Sequence, residues 1–356
     1  MDAYDRKILF ELDCNSRQST SDLARKVKLG RDLVTYRIDR LKSAGILNRC
    51  SVLINPYKLG LTSYKVYLKL ESNKARQAQF IDALSKHPRI TWLAECYGKW
   101  DLIFSVLART PKEFYDFHDR LFSDFNDLIL GSSICTLVDY WWFPKKYLIS
   151  KSGDVAPGDE KLVPFPTEDV RTEWSFVIPE FTFGTTPDEY AVDEIEYGII
   201  QLLSEDARMG VTEMASKLRT TPAIVKYRIE KLEELGVIAG YRIEVDYRAL
   251  GTTLFRVQVH LRDYDVKKEL EFRDYCRHHP HVSGYVHQLG DCKIEFEVDA
   301  RSHEEFNTVI DQVGERFSRF IRSMDHMVVR RDYGHRTPCN IFAGFDRPKS
   351  RAVSGD

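Results

Sequence analysis

One pattern of twelve residues occurs twice in this chain, 191 positions apart. The stretch YRIDRLKSAGIL begins at Tyr36, and YRIEKLEELGVI begins at Tyr227. The same offset aligns Gly60 with Gly251, without a gap over about sixty residues, and after one inserted residue the correspondence continues. Whole domains are therefore duplicated, and an internal repeat fixes the architecture before any single site is considered.

Each copy changes its hydrophobic period once. The first part places apolar residues at helical spacing and predicts the three helices of a helix-turn-helix, followed by a short hairpin in the position of a wing. The second part predicts the order β-α-β-β-α-β, which is the ferredoxin-like arrangement. We therefore predict an α+β chain of two tandem units, each a winged helix-turn-helix followed by a βαββαβ domain.

The repeat also sets the domain boundaries. Residues 149–191 have neither period and hold several prolines and glycines, as an inter-domain linker does. Aromatic residues in the linker, including Trp174, Phe176, Phe181 and Phe183, predict that it packs along one of the domains. The predicted units are helix-turn-helix 1 (1–60), ferredoxin-like domain 1 (61–148), the linker, helix-turn-helix 2 (192–251), ferredoxin-like domain 2 (252–336) and a tail (337–356).

Composition excludes several classes of protein. No run approaches the ~18 apolar residues that span a bilayer, and the first residues lack a signal-peptide pattern, so we expect a cytoplasmic protein without a membrane partner. The seven cysteines are odd in number and form no CxxC pair, so we interpret them as reduced and structural. Because no catalytic triad order, phosphate loop or dinucleotide fingerprint occurs, we predict no catalytic residue, metal or cofactor.

Charge is concentrated in the first helix-turn-helix, although the formal net charge of the chain is only −2. Arg25–Arg49 holds eight basic and two acidic residues, whereas the aligned Ser216–Gly240 holds five and three. Affinity for DNA grows with the number of phosphates neutralised, so the first copy should bind DNA more strongly. The predicted DNA contacts are Arg31, Thr35, Tyr36, Arg37 and Arg40 in the first copy and Lys226, Tyr227 and Arg228 in the second.

A structural alternative applies to the same helices. A cationic face is often only a solvated surface. In that interpretation the helix-turn-helix is a relic, and Arg37 and Arg228 hold helices together through carboxylates.

The motifs resemble the Lrp/AsnC (feast/famine, leucine-responsive) family of prokaryotic transcription regulators. The resemblance is carried by Asp5, Leu12, SDLARKV, YRIDRLKSAGIL and the GKWDLIFSV stretch at Gly98, and by TEMASKL, VKYRIEKLEELGVI and DYRALG in the second copy. The usual member has one copy. The resemblance implies sequence-specific binding of double-stranded DNA and sheet-to-sheet packing of two ferredoxin-like units, within one chain as a pseudo-dimer or between chains as a homo-oligomer.

The resemblance also implies a site for a small effector, commonly an amino acid, at the Gly-x-x-Asp turn of the ferredoxin-like domain. Gly98, Trp100 and Asp101 occupy that turn in the first copy, and Gly290 and Lys293 in the second, where lysine replaces the acid. Either the second site is lost, or Asp101 and Lys293 face each other across an internal pseudo-twofold axis. The alternative is that the glycines only shape turns and the aromatic residues belong to the core.

The two-domain unit is also similar to siroheme decarboxylases of haem biosynthesis, which work as pairs of similar subunits or as fusions. The stretch CRHHPHVSGYVHQLG contains His278, His279, His281 and His287. Their spacing is not a zinc signature, and we interpret them as part of a solvated loop around Pro280. A decarboxylase therefore remains the alternative to a DNA-binding regulator.

Overall fold

The computed structural model describes residues 1–149, 180–186 and 188–335. Most of the predicted linker, including Trp174 and Phe176, and the whole predicted tail lie outside the described residues. The helices are α1 (Ala3–Cys14), α2 (Thr20–Val27), α3 (Arg31–Ser43), α4 (Lys74–Lys86), α5 (Pro111–Asp124), α6 (Glu194–Glu205), α7 (Val211–Lys217), α8 (Pro222–Glu234), α9 (Val266–His278) and α10 (His303–Arg316). The strands are β1 (Leu47–Ile54), β2 (Thr62–Leu70), β3 (Ile90–Gly98), β4 (Leu102–Ala108), β5 (Ile129–Trp142), β6 (Phe181–Gly184), β7 (Ile238–Val245), β8 (Thr253–Leu261), β9 (Val282–Leu289), β10 (Ile294–Ala300) and β11 (Ile321–His335).

Both copies begin with the three predicted helices. Local sequence defines their ends: Thr221 caps α8 through a hydrogen bond to the Ile224 amide, with Pro222 in the first turn, while Gly30 precedes α3 without a side-chain cap. One residue just after the second helix has a left-handed backbone conformation in both copies, at Lys28 (φ 58°) and Arg219 (φ 53°). The duplication thus preserves the backbone of the turn as well as the sequence.

The prediction of a hairpin after each recognition helix was wrong. Each copy instead contributes one strand to a ribbon that joins the copies: β1 pairs antiparallel with β7, from Leu47 opposite Val245 to Ile54 opposite Ile238. A 3₁₀ turn at Pro56–Leu59 follows β1 where the second hairpin strand was expected. Alternation along a strand is the same whichever strand is its partner, so one copy alone could not identify the pairing.

The two helix-turn-helix domains share one hydrophobic core. Ile8 and Leu41 of the first copy and Ile199 and Leu232 of the second are at most 2% exposed and belong to the same cluster. The ribbon contributes to it as well, through residues such as Val52. Burial of apolar surface is the main favourable term in folding, so the two domains stabilise each other as one body.

The two ferredoxin-like domains close into a ring of eight strands, in the order β2-β4-β3-β11-β8-β10-β9-β5, with β5 pairing back to β2. The last strand of each copy joins them: β5 pairs with β2 and with β9, and β11 pairs with β8 and with β3. The sheet pairing is therefore internal to the chain. The linker strand β6 adds to β5, where Phe183 packs against Tyr57 and Trp142.

Helices cover the outer faces of the ring, and its inside carries a buried network of charges. The Nζ of Lys65 lies 2.5 Å from Glu295 Oε1, and the hydroxyl of Tyr67 donates to Glu295 Oε2 at 2.7 Å. Arg256 contacts Glu295 and Glu297. Burial together with the charge of Arg256 lowers the pKa of Lys65 to about 8. These contacts join the two copies, because Lys65 and Tyr67 come from the first and their partners from the second.

Candidate nucleic-acid interface

Helix α3 has one buried and one outward face. Val34, Ile38 and Leu41 point into the shared core, while Arg31 and Tyr36 are exposed, Tyr36 by 62%. The predicted recognition helix thus has the solvent-facing polar surface that reading of a DNA groove requires.

Helix α8 repeats this arrangement in the second copy. Tyr227 is exposed by 62%, the same fraction as its counterpart, and Lys226 beside it is exposed with its Nζ 3.7 Å from Glu230. The two copies therefore offer equivalent tyrosines on equivalent helices.

Arg37 connects the recognition helix α3 to the start of α1 through ion pairs. Its guanidinium is only 14% exposed and lies 2.7 Å from carboxylate oxygens of both Asp2 and Asp5, the second of which is buried. Burial alone would raise the pKa of Asp2, but the hydrogen bond from Arg37 holds that pKa below its usual value. Arg40 also pairs with Asp5, at 2.5 Å, yet its side chain stays 46% exposed.

Arg228 makes the equivalent contacts in the second copy. It pairs with Asp193 at 2.6 Å and with the buried Glu196 at 2.8 Å, and Lys231 and Tyr190 also bind Glu196. Burial opposes ionisation of Glu196, but these hydrogen bonds and that of the Asp193 amide outweigh it and lower its pKa.

The predicted DNA contacts thus fall into two groups. Arg37 and Arg228 have carboxylate partners within their own copies, as the structural alternative expected for them. The others are exposed: Arg31, Thr35, Tyr36, Arg40, Lys226 and Tyr227.

Exposed cations are more numerous on the first copy. Six of its eight basic residues between Arg25 and Arg49 are exposed, whereas three of the five between Ser216 and Gly240 are. The imbalance seen in the sequence therefore persists on the surface. The exposed cations are Arg25, Lys26, Lys28, Arg31, Arg40 and Lys42 in the first copy and Lys217, Arg219 and Lys226 in the second.

The two glycines predicted for an effector site let the last strand of the opposite copy approach their backbone closely. Gly98 (φ +119°) lies opposite Met327, and a Cβ on it would approach the carbonyl oxygen of His326 to 2.6 Å. Gly290 (φ +147°) lies against β5, where a Cβ would meet Cys135 Sγ at 2.7 Å. Their role in this structure is close backbone approach.

Each of the other predicted effector residues has contacts of its own. Asp101 accepts hydrogen bonds from Lys69 and from the Leu70 amide, both at 2.9 Å, and Trp100 is partly buried against the inner core of the ring. Lys293 is exposed, with its Nζ 4.5 Å from the Tyr264 ring centroid. Among the described residues, Asp101 therefore pairs with Lys69 of its own copy and not with Lys293. The hypothesis that Asp101 and Lys293 face each other stays a prediction.

The histidine run is not a solvated loop, contrary to our interpretation. His279 is 1% exposed, and His281 Nδ1 lies 2.9 Å from the Asp299 carbonyl oxygen. His287 lies against Trp141 and contacts Glu269. Sequence reasoning missed this burial in part because some of the neighbours come from the other copy: Trp141 packs on His287 and Tyr147 stacks on His281, whereas Tyr275 of the same copy lies beside His279.

The structure also bears on the expectations from sequence about metal ions, cysteine thiols and membrane-spanning helices. Across residues 1–149, 180–186 and 188–335, no group of three or more histidine, cysteine or acidic side chains is arranged to hold a metal ion. The six cysteines in those ranges carry free thiols. Every helix in the described part of the chain is too short or too polar to cross a lipid bilayer.

Comparison with known proteins agrees with this geometry. Residues 1–48 match the winged helix-turn-helix DNA-binding family, and residues 192–233 match the AsnC-type helix-turn-helix domain. The fold and the outward recognition helices define a helix-turn-helix protein, and the chain belongs to the Lrp/AsnC family of transcription regulators.

The similar relatives are shorter than this chain. A helix-turn-helix transcriptional regulator of Pyrococcus abyssi is 31% identical over 115 residues, which cover 32% of this chain and 77% of the relative. Another, of Pyrococcus furiosus, is 40% identical over 74 residues, 20% of this chain, and the match spans about half (48%) of that relative.

Solved structures of one protein match both copies at once. The siroheme decarboxylase NirDL has a TM-score of 0.57 at 13% identity, over 93% of this chain and 92% of its own. At that identity the likeness shows a shared fold.

Proposed function

We propose that this chain is a sequence-specific DNA-binding transcription regulator that addresses DNA as a single-chain pseudo-dimer. The observation that carries the proposal is the equal exposure of Tyr36 and Tyr227 on two recognition helices held by one core and one ribbon. Paired helix-turn-helix domains bind half-sites about one DNA turn apart or a multiple of it. One chain therefore contains the pair of helix-turn-helix domains that two subunits usually supply.

The exposed residues have different roles in this proposal. Arg31 and Arg40 neutralise phosphates and fix the position of the protein, while Thr35 and Tyr36 face base edges, since contacts to phosphates position a protein and contacts to bases read sequence. Lys226 and Tyr227 act in the same way in the second copy. Arg37 and Arg228 are positioning residues that set the angle of each recognition helix.

The test is selection of bound fragments from a random DNA library at about physiological salt. Wild type is compared with a Tyr36→Ala/Arg31→Ala variant, a Tyr227→Ala/Lys226→Ala variant, and the matched control Tyr115→Ala, whose ring is 58% exposed on α5. We expect wild type and control to enrich one two-part motif, and the first variant to lose more affinity than the second.

The salt dependence gives a second readout. Loss of the Arg31 contact should lower the slope of log affinity against log salt by about 0.9. Recovery of unselected fragments by wild type, or an equal loss in the Tyr115→Ala control, would refute the proposal.

We further propose that a small effector, such as an amino acid, modulates this regulator. Support comes from its family and from a cavity between the ribbon and the ring. Gly98, Trp100, Asp101, Gly290 and Lys293 do not line that cavity, so its lining has to be considered separately.

A siroheme decarboxylase-like activity is the second candidate function, and the whole-chain likeness to NirDL is the observation that favours it. The same cavity, of about 290 Å³, is close to the lower end of the range for small-molecule pockets, and its described lining includes neither histidine nor cysteine. The test is titration of the purified chain with siroheme, followed by absorbance and by mass analysis of the product. Loss of carboxyl groups from siroheme would establish this activity, and unchanged siroheme would exclude it.

A further inference from the structure

The two recognition helices have the same pattern of exposure but different side chains. Along Arg31–Asp39 and along Pro222–Glu230, exposed and buried positions follow in the same order. Helix-turn-helix domains contact base edges with the N-terminal residues of the recognition helix. Because the two helices share their geometry, a difference between the bases that they read has to come from the side chains that differ.

Each recognition helix also exposes one branched apolar side chain. Leu33 is 43% exposed and its counterpart Ile224 is 41% exposed, and neither belongs to the shared core. Each lies three positions before the exposed tyrosine and is therefore its neighbour on the same face of the helix. In the major groove, the methyl group of thymine is the apolar feature of a base pair. Leu33 and Ile224 therefore favour a thymine in each half-site.

The position before this apolar residue differs between the copies. Asp32 is exposed in the first turn of α3, whereas Ala223 occupies the same position in α8. No described residue forms an ion pair or a hydrogen bond with the Asp32 carboxylate. In the major groove, carboxylates accept hydrogen bonds from the N4 amino group of cytosine. The first copy can therefore read a cytosine that the second copy cannot read.

Thr35 and Lys226 are a second difference. The hydroxyl of Thr35 donates to the carbonyl oxygen of Arg31 at 3.2 Å and keeps its lone pairs for a donor on a base. Lys226 stands at the same position in α8 and carries a charge that suits a phosphate. Contacts to phosphates position a protein, whereas contacts to bases read sequence. The second copy therefore has fewer groups that read bases.

We propose that the DNA site of this chain is directional. Each half-site carries a thymine that contacts Leu33 or Ile224, and only the half-site at α3 requires a cytosine, which donates to Asp32. The inference rests on the proposed function and deepens it. Two identical subunits would present two identical recognition helices, whereas this chain presents two different ones and binds its site in one orientation.

The experiment begins with selection of bound duplexes from a random library by the wild-type chain. We expect a two-part motif with thymine in both half-sites and an additional cytosine in one. Three duplexes are then built: the selected motif, one with two copies of the cytosine-containing half-site, and one with two copies of the other half-site. Wild type should bind the first two equally and the third about tenfold more weakly.

Two variants exchange the chemistry of the copies. Asp32→Ala should abolish the preference of wild type, because this variant no longer reads the cytosine. Ala223→Asp should bind the duplex with two cytosine-containing half-sites about tenfold more tightly than the selected motif. Both positions are exposed, so neither change alters the core. Asp119→Ala is the matched control, because it removes an exposed acid on α5 and should keep the wild-type preference.

The same titrations separate base reading from a structural role of Asp32. An acid in the first turn of a helix also stabilises that helix. If that were the role of Asp32, Asp32→Ala would change the affinity for all three duplexes alike.

The thymine contact has a readout of its own. Uracil lacks only the methyl group of thymine. Replacement of the thymines of the motif by uracil should therefore weaken binding of wild type several-fold and leave binding of a Leu33→Ala/Ile224→Ala variant unchanged.

Three results would overturn the inference alone. The first is that wild type selects the same bases in both half-sites. The second is that Asp32→Ala keeps the wild-type preference among the three duplexes, and the third is that uracil binds wild type as well as thymine does. Failure of wild type to enrich any motif would overturn the proposed function and this inference with it, so the two failures are distinguishable.

Discussion

Arg17 and Arg208 hold the same position in the two copies, and each donates hydrogen bonds to the other copy. Arg17 Nη1 donates to the carbonyls of Ala207 at 2.5 Å and Met209 at 2.9 Å. Arg208 Nη1 reciprocates, with Ser16 as one acceptor at 2.7 Å. Because the exchange is reciprocal, it fixes how the two helix-turn-helix domains lie relative to each other.

Removal of either arginine should therefore have the same effect. Each of Arg17→Ala and Arg208→Ala leaves two partly buried carbonyls without their charged donor, and we expect each to lower the free energy of unfolding by about 2 kcal/mol. Urea unfolding measures the change. Arg25→Ala is the control, since its side chain is 77% exposed and its ion pair among the described residues is with Asp22, and it should cost less than about 0.5 kcal/mol. A large difference between the two exchange variants would contradict the symmetry.

Sequence predicted the elements of each copy but not what joins the copies. The helices and the strand order follow from periods within one copy. Lys65 shows the limit: in TSYKVYLKLE it occupies the polar side of an alternating strand, which is usually solvated. In the structure that side faces the inside of the ring, and Glu295, 230 residues away, is its partner. No period encodes such a contact.

For the same reason, the sequence predicted the outward position of Tyr36 in the candidate interface but did not establish the role of Arg37. Tyr36 was found because outward positions of a helix follow from its apolar stripe. The role of Arg37 depends on Asp2 and Asp5, more than thirty residues earlier. One sequence pattern would have identified this role. In both copies, two acidic residues three positions apart stand at the start of the first helix.

Substitutions of Arg37 and of its neighbour Tyr36 should differ in their effects on stability and on DNA binding. Arg37→Ala leaves Arg40 and the Asp2 amide as the described partners of the buried Asp5, so we expect a loss of about 2 kcal/mol in the free energy of unfolding together with weaker DNA binding. Tyr36→Ala removes only exposed surface and should weaken DNA binding at nearly unchanged stability. Urea unfolding and DNA titration of the same samples test both. Unchanged stability of Arg37→Ala would exclude its role as a clamp.

Gly290 should tolerate no side chain. Gly290→Ala adds a Cβ 2.7 Å from the Ile134 carbonyl oxygen at a backbone conformation that L-residues rarely adopt, so we expect a cost of about 3 kcal/mol. Gly251→Ala is the control, because it also has positive φ (+71°) but nothing within 4 Å of the added atom, and should cost about 1 kcal/mol. Thermal and urea unfolding provide the comparison. Equal losses would show that strain, and not the approach of β5, determines the cost.

His279 should make stability depend on pH. Its ring is buried, its Nδ1 accepts a hydrogen bond from the His281 amide at 3.2 Å, and its Nε2 lies 3.3 Å from Gln312 Oε1. Burial and the charge of His281 lower the pKa of His279 to about 3, against an ordinary value near 6.5. Between these values the unfolded chain binds a proton that the folded chain does not. This contribution is therefore fully present above about pH 6.5 and falls with pH, by up to about 1.4 kcal/mol per unit.

The dependence can be assigned to His279 by substitution. His279→Gln cannot titrate, so the fall in the free energy of unfolding between about pH 7.5 and about pH 5.5, measured by urea titration, should be smaller than in wild type by about 1.4 kcal/mol. His278→Gln is the matched control: its ring is adjacent in sequence but 27% exposed, and the variant should keep the wild-type slope. If the two variants show the same slope as wild type, the folded chain accommodates a protonated His279, and its buried Nδ1 does not need to stay an acceptor for the His281 amide.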